Sequence, residues 1–418
     1  MTATRRVKFV IWGGSAVATP QLVDELCQRF RPEETMDLVL VGRTAQKLQL
    51  VGQLCCRLVA QAGVDISVSY TTDLQASLHG ADYILNQMRV GGLEGRAFDE
   101  SFPNDLGIPG EETVGPGGFS SALRTIPVVL DYCRFAEQVA PRALIVNLTN
   151  PSSLVQYAIR RYTSMRVLGT CDIPVATTRL IARILELPVQ ELEFDYLGMH
   201  HAGWVTGVRH RGRDLMPELL RHAERLAELE VDPDLIRAMG VVPTRYFRYY
   251  LHPQRMLKLK SKKKSRVEEL KAMQAEMLQA YAEPDTCQHP EVYCRRGAVW
   301  YEMIVVPVLL ALMRDSRDCL IVNVDNGDTI PWLPPEAIVE VPCVVGASGA
   351  RSLAVAALPQ DLRAFLQANC AYEMLAVQAI VEQSYGLAWR ALLSNPMLAD
   401  ADTARTILDR VWPDDWRR

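Results

Sequence analysis

The residues of this chain with the most chemical potential stand at Thr170-Cys171-Asp172-Ile173-Pro174, a thiol beside a carboxylate just past a strand-like run, Met165 to Gly169. A deprotonated thiol is a strong metal ligand, whereas one kept in an apolar interior packs as a small hydrophobe. A second set, His200 and His201, follows a strand-like segment that begins at Glu193 and enters a turn. Their spacing is not that of a structural zinc site, and on spacing alone they read as polar turn residues. Glu111 and Glu112 add two carboxylates within a stretch rich in glycine.

Holding such groups together requires a sheet that ends in a ligand crevice. Val7 to Trp12 is an apolar, β-branched run closed by Gly13-Gly14-Ser15 and followed by a helix-like segment from Thr19-Pro20 through Leu26. Strand, glycine turn and helix open a nucleotide-binding βαβ unit, in which the backbone approaches a pyrophosphate at the helix N-terminus. The full glycine pattern is absent because Trp12 occupies its first position, so a simple tight turn is the other reading. The next strand, Asp37 to Val41, runs into Gly42-Arg43 where an acidic residue would hold an adenosine ribose. An arginine there can accept a 2′-phosphate, which makes NADP an alternative to NAD; a solvated loop arginine is the competing account.

Helix-like Leu48 to Ala62, strand-like Ile66 to Tyr70 and strand-like Ala81 to Asn86 continue an alternation that argues for a parallel sheet. From Asn86 to Phe119 the sequence is polar and glycine-rich, with Arg89, Arg96, Asp99, Glu100, Glu111 and Glu112; it reads as a ligand-covering loop outside the core. Helical periodicity resumes over Ala122 to Glu137, and the strand Ala143 to Asn147 ends in Leu148-Thr149-Asn150-Pro151, polar groups at the crevice end of a strand. Ala298 to Met313 reads as a buried helix and Leu353 onward as helical, with heptad-like apolar spacing over Phe365 to Val381. Lys258, Lys260, Lys262, Lys263 and Lys264 form either a solvated face or a local anion patch.

With 418 residues, 49% of them hydrophobic, the chain can bury a large core, and a net charge of −4 gives it no global field for nucleic acid. No run reaches 18 apolar residues, so no membrane span is expected. The ten cysteines lack framework spacing and include the adjacent Cys55 and Cys56, which indicates a reduced, cytoplasmic setting.

In this order along the chain, the motifs resemble glycoside hydrolase family 4, the nicotinamide-dependent glycosidases. The residues that carry the resemblance are the Gly-Gly-Ser turn with Thr19-Pro20, Asn86 to Glu100, Glu112 to Phe119, Ala122 to Val128, Asn147 to Pro151, and Cys171-Asp172-Ile173-Pro174. It continues through Val205, the Tyr246 segment, Ile321 to Asn323 and Ile338 to Pro342. Gly240 to Tyr250 is most similar to the 6-phospho-β-glucosidase branch.

The resemblance implies an α/β fold, lactate/malate dehydrogenase-like overall. A Rossmann-like doubly wound domain over residues 1–175 would be joined to a C-terminal α+β domain over residues 176–418. It implies NAD bound near Gly13, Gly14, Ser15, Arg43 and Asn86, and a divalent metal, manganese or a related ion, on Cys171 and His201, with His200 replacing the family's asparagine. Sugar C3 is oxidised, Tyr246 removes the C2 proton, the aglycone leaves, water adds and the hydride returns. Arg89, Arg96, Glu112, Asn150 and Arg266 would contact substrate, with Arg89, Arg96 and the basic loop as candidates for a 6-phosphate dianion.

Asp172 departs from the β branch, where asparagine is usual; the α-specific phosphoglucosidases carry aspartate, proposed there as general acid. A 6-phospho-α-glucosidase, or a glycosidase of unphosphorylated sugars, is therefore the alternative. A sugar dehydrogenase that releases oxidised product, and a silent sensor suggested by Gly42-Arg43 and Arg296-Gly297, come from other classes. Conventional hydrolysis by two carboxylates drawn from Glu111, Glu112 and Asp172 would need neither a nucleotide turn nor a Cys/His pair. Expected partners are a small sugar or sugar phosphate and further copies of the chain, as a homodimer or homotetramer, but no nucleic acid and no membrane.

Overall fold

The computed structural model describes residues 6–260, 266–286, 298–398 and 400–416, and of Arg266 the backbone alone. Lys262, Lys263, Lys264, Arg296 and Gly297 lie outside the described residues.

Six short strands rich in β-branched and leucine residues form the parallel half of one sheet: β1 (Val7–Trp12), β2 (Met36–Val41), β3 (Ile66–Thr71), β4 (Tyr83–Asn86), β5 (Leu144–Asn147) and β6 (Arg166–Gly169). Their spatial order is β3-β2-β1-β4-β5-β6, the dinucleotide-binding order that places the crevice beyond the strands' carboxyl ends. The strands are apolar on both faces because helices cover both. In β1 the side chains of Phe9 and Ile11 enter one core with Leu38 and Leu40. Those of Val10 and Trp12 enter the other with Val39, Val41, Ile84 and Phe119.

The remaining strands extend the same sheet in antiparallel fashion. They are β7 (Leu192–Met199), β8 (Ala202–His210), β9 (Arg213–Asp214), β10 (Val242–Pro243), β11 (Asp318–Asp325), β12 (Ile338–Gly346) and β13 (Gly349–Ser352). β11 joins β6 where Asn323 faces Gly169, and β12 joins β7 where Glu340 faces Gly198. The sheet therefore runs unbroken from β3 to β10. Gln156, on the helix Ser152–Tyr162, braces the first junction by donating to the Asn323 carbonyl at 2.9 Å.

Two expectations need correction. Residues 108–122 are buried, and the helix expected from Ala122 begins at Gly115 and runs to Val139. The glycines of this stretch allow backbone to pack where a side chain could not: a Cβ on Gly117 would lie 2.2 Å from the Glu111 carbonyl oxygen. Its charges are met from outside the stretch, Glu112 by Arg89 and Arg96 and Glu111 by Lys260, and beside it Arg124 donates to buried Asp99. The C-terminal helical region begins at Gln360 instead of Leu353, because Gly349–Ser352 first pairs with β12 as β13. In the apolar segment after Ala298, Tyr301–Val305 forms a π-helical turn ahead of the helix Val306–Arg314.

Candidate active site

The glycine turn after β1 is built for close approach. Gly13 adopts φ +80°, and a Cβ there would meet the Gln87 carbonyl oxygen at 2.9 Å. Gln87 fixes the turn by donating to the Gly13 carbonyl at 3.2 Å and to Thr19 Oγ1 at 3.0 Å, while Tyr301 donates to its Oε1 at 2.6 Å. The helix Thr19–Arg29 that follows has no side-chain cap; Thr19 and Gln21 donate their N–H groups to the carbonyls of Ala16 and Ala18 at 2.9 and 3.1 Å, and the helix dipole still favours an anion at this end. Trp12, in place of a glycine, is fully buried and packs edge-on to Tyr132, so it serves the core. Arg43 is exposed just past β2.

Asn86 does not stand open to a nucleotide as expected. It is fully buried; its amide nitrogen donates to Asn147 Oδ1 at 2.9 Å and its oxygen accepts from Thr149 Oγ1 at 3.0 Å. Its side chain ties the ends of β4 and β5 together. Asn150, half-buried, follows on the same strand-end turn.

Beyond the carboxyl end of β6, Cys171 is 4% exposed and its thiol lies near the carboxyl group of Glu340 on β12. Burial, then the nearby charges of Glu340 and Asp172, push that thiol up. Glu340 also accepts from Tyr196 at 2.5 Å and from Asn323 at 3.3 Å, and burial raises its carboxyl to about 8. Asp172 precedes the helix Ile173–Leu185 and makes no capping bond; burial raises its carboxyl, opposed by the charge of Arg245.

His200 and His201 form the two-residue turn of the β7–β8 hairpin, closed by the pair Met199 and Ala202. His201 takes φ +62°, a left-handed conformation that glycine or asparagine would adopt at lower cost. Its ring stacks on His200 at 3.7 Å between centroids and on Tyr246 at 3.6 Å, nearly parallel to the latter. Burial lowers His200 to about 3 and holds His201 well below its usual value, so both rings are neutral and able to ligate. Thr113 Oγ1 lies 3.0 Å from His201 Nδ1 and 3.3 Å from Glu111 Oε1. The hydroxyl that donates to Glu111 accepts from the ring, which leaves Nε2 free.

The ligand atoms of Cys171, His200 and His201 all lie within 4.8 Å of one another. This sulfur and imidazole donor set fits a divalent transition ion. Burial and the charge of Glu111 push the Tyr246 phenol well above its usual value. Tyr249 donates to Glu111 at 3.1 Å, and Lys260 Nζ is 4.0 Å away from that carboxylate.

Arg89 and Arg96 both pair with Glu112, Arg96 Nη1 lying 3.1 Å from it. Burial opposes the Glu112 charge, yet the two arginines outweigh it and hold the carboxyl below its usual range. The three form one partly compensated unit, and Arg89 keeps 42% of its side chain exposed. Arg266 begins the helix Arg266–Ala282, while its side chain is outside the described residues. Sequence reasoning missed Thr113, Tyr196, Asn323 and Glu340 as site residues. The earlier signal was that Thr113, Asn323 and Glu340 lie in segments matching the family pattern.

The model of the family 4 glycosyl hydrolases matches residues 8–187, and that of the family 4 C-terminal domain matches residues 196–398. The chain belongs to family 4 of the glycosyl hydrolases. This family 4 chain is 31% identical to a probable 6-phospho-beta-glucosidase of Bacillus subtilis, over 98% of its own length and 96% of the relative's. Among solved structures, the 6-phospho-beta glucosidase of Thermotoga maritima with NAD and glucose-6-phosphate superposes with a TM-score of 0.87 at 26% identity, covering 97% of each chain. A 6-phospho-alpha-glucosidase from gut microorganisms in complex with NAD and Mn2+ gives 0.86 at 29% identity, again over 97% of each. The lactate dehydrogenase of Eimeria maxima, at 12% identity and TM-score 0.60 over 92% of this chain and 98% of the other, shows the shared dinucleotide-binding fold. Among the described residues no helix is long and apolar enough to cross a membrane.

Proposed function

We propose that this family 4 enzyme hydrolyses 6-phospho-β-glucosides, with residues 1–175 binding NAD and residues 176–418 completing the metal and substrate site. The observation that carries this reading is the Cys171/His200/His201 cluster with Tyr246 stacked on it, at the carboxyl end of a dinucleotide-binding sheet. NAD bound at Gly13, Gly14 and Ser15 supplies a reversible hydride acceptor for sugar C3, and a divalent ion, manganese by likeness to the relatives, supplies positive charge beside sugar O2 and O3.

The chain's own residues do the rest. Cys171 and His201 hold the ion, Thr113 fixing the His201 tautomer. Stacking keeps the Tyr246 phenol over the same site. The charge of a bound divalent ion would oppose the burial and the Glu111 charge that hold its proton on, and the phenolate would then remove the C2 proton that oxidation at C3 has made acidic. Asp172, beside Cys171 at a helix start, hands a proton to the departing aglycone oxygen. Water then adds at C1 and the hydride returns to C3, so hydrolysis is redox-neutral. Arg89 and Arg96, both paired with Glu112, would take the 6-phosphate, and Asn150 would contact the sugar.

Asp172 favours a second reading, a 6-phospho-α-glucosidase. Both are tested by supplying NAD or NADP, manganese and reductant with α- and β-nitrophenyl glucosides, each with and without 6-phosphate. The β-phosphorylated compound is expected to be cleaved with no net NADH. Cleavage of the α compound alone selects the second reading, and stoichiometric NADH would overturn both in favour of a dehydrogenase. An advantage for NADP would assign the 2′-phosphate to Arg43.

A further inference from the structure

We propose that His200 is a third protein ligand to the metal, making a Cys171–His200–His201 centre in place of a two-ligand one; this rests on the metal-dependent reading above. All three ligand atoms already lie within 4.8 Å of one another, and all three side chains are buried. The turn enforces the arrangement. A two-residue hairpin loop with His201 in the left-handed region brings both rings to the same side, stacked at 3.7 Å.

The two rings are satisfied differently. His201 spends Nδ1 on Thr113, while among the described residues the ring nitrogens of His200 have no hydrogen-bond partner, and its exposure is only 5%. With no protein partner the His200 nitrogens are free to ligate, and the thiol and both rings lie close enough to share one cation. An asparagine at this place, as in the family pattern, would offer a weakly ligating amide oxygen. An imidazole supplies a ligand matched to the same ions as its neighbour. Three protein ligands with positions left for substrate oxygens is an established arrangement for catalytic metals.

The test uses the full chain, stripped of metal, kept reduced and titrated with cobalt(II), with X-ray absorption at the cobalt edge. Wild type is expected to bind one ion through one sulfur and two imidazoles. His200→Asn and His200→Gln are expected to keep the sulfur-to-cobalt charge-transfer band, lose one imidazole and weaken cobalt binding by about tenfold or more. A single imidazole in wild type, or unchanged affinity in both folded variants, overturns the inference while leaving the metal-dependent reading intact. No cobalt binding by wild type overturns both. The wild-type ligand count decides the matter even where a variant does not fold.

Discussion

Replacing Glu373 with glutamine should make the protein more stable at neutral pH than the wild type, although it removes a hydrogen-bonded carboxylate. Glu373 sits on the helix Gln360–Val381 with 5% exposure, accepting from Asn369 at 3.0 Å and from Ser153. Burial dominates those bonds and raises its carboxyl from 4.5 to about 8, with Glu340 adding to the shift. The folded protein thus binds a proton that the unfolded chain has released between these values. The stability contribution is full below about pH 4.5 and is lost as pH rises toward about 8. Each pH unit inside that window costs about 1.4 kcal/mol, so wild type loses roughly 3 kcal/mol from this group between about pH 5 and about pH 7. Glutamine keeps the shape and has no proton to lose. Urea unfolding of both proteins at the two pH values should show the difference in stability shifting by about that amount in favour of Glu373→Gln. Parallel pH profiles for the two proteins would refute the reasoning, since they would mean that Glu373 is charged in the fold at neutral pH.

Tyr246→Phe should retain the stack on His201 and the fold, yet lose about 10²- to 10⁴-fold in turnover and in exchange of a C2 deuterium; full activity would remove Tyr246 as the base. Thr113→Val deletes the partner of His201 Nδ1 and is expected to weaken cobalt or manganese binding by about 10- to 100-fold, measured by titration, with the thermal transition little changed. Gly117→Ala forces a methyl group to within 2.2 Å of the Glu111 carbonyl oxygen and 2.4 Å of the Asp99 carbonyl oxygen. It should cost about 3 kcal/mol or more, read as a lower urea midpoint or as insoluble protein.

The parallel half of the fold was legible because its strands are short apolar runs closed by glycine or asparagine, as at Trp12-Gly13 and Asn147. Cys171 stood out in the sequence for the same reason, since a polar group past a strand end faces the crevice. What sequence could not convey was its partner. Glu340 reaches the thiol only because β12 enters the sheet between β11 and β7, a pairing fixed by tertiary topology and by no local signal. Residues 108–122 misled for the opposite reason. Glycine and charge usually mark a solvated loop, but here the glycines admit backbone contacts and each buried charge has a counterpart, so a loop-like composition packs as core. His200 lay between these cases: the sequence put it in a turn with His201 and gave it no ligand role, and the common orientation of the two rings became apparent only in the hairpin.

The junction of β6 with β11 has a mechanical consequence. The thiol comes from the end of the parallel half and the imidazoles from a hairpin of the antiparallel half, yet both halves belong to one hydrogen-bonded sheet, braced by Gln156 across the seam. A clamshell enzyme assembles its catalytic groups when two lobes swing together, and loses them when the lobes part. Here such a swing would have to tear the sheet, so the thiol and the imidazoles keep their mutual distances. Substrate entry and product release then fall to side chains and loops at the rim, and the binding energy of the sugar need not be spent on closing domains.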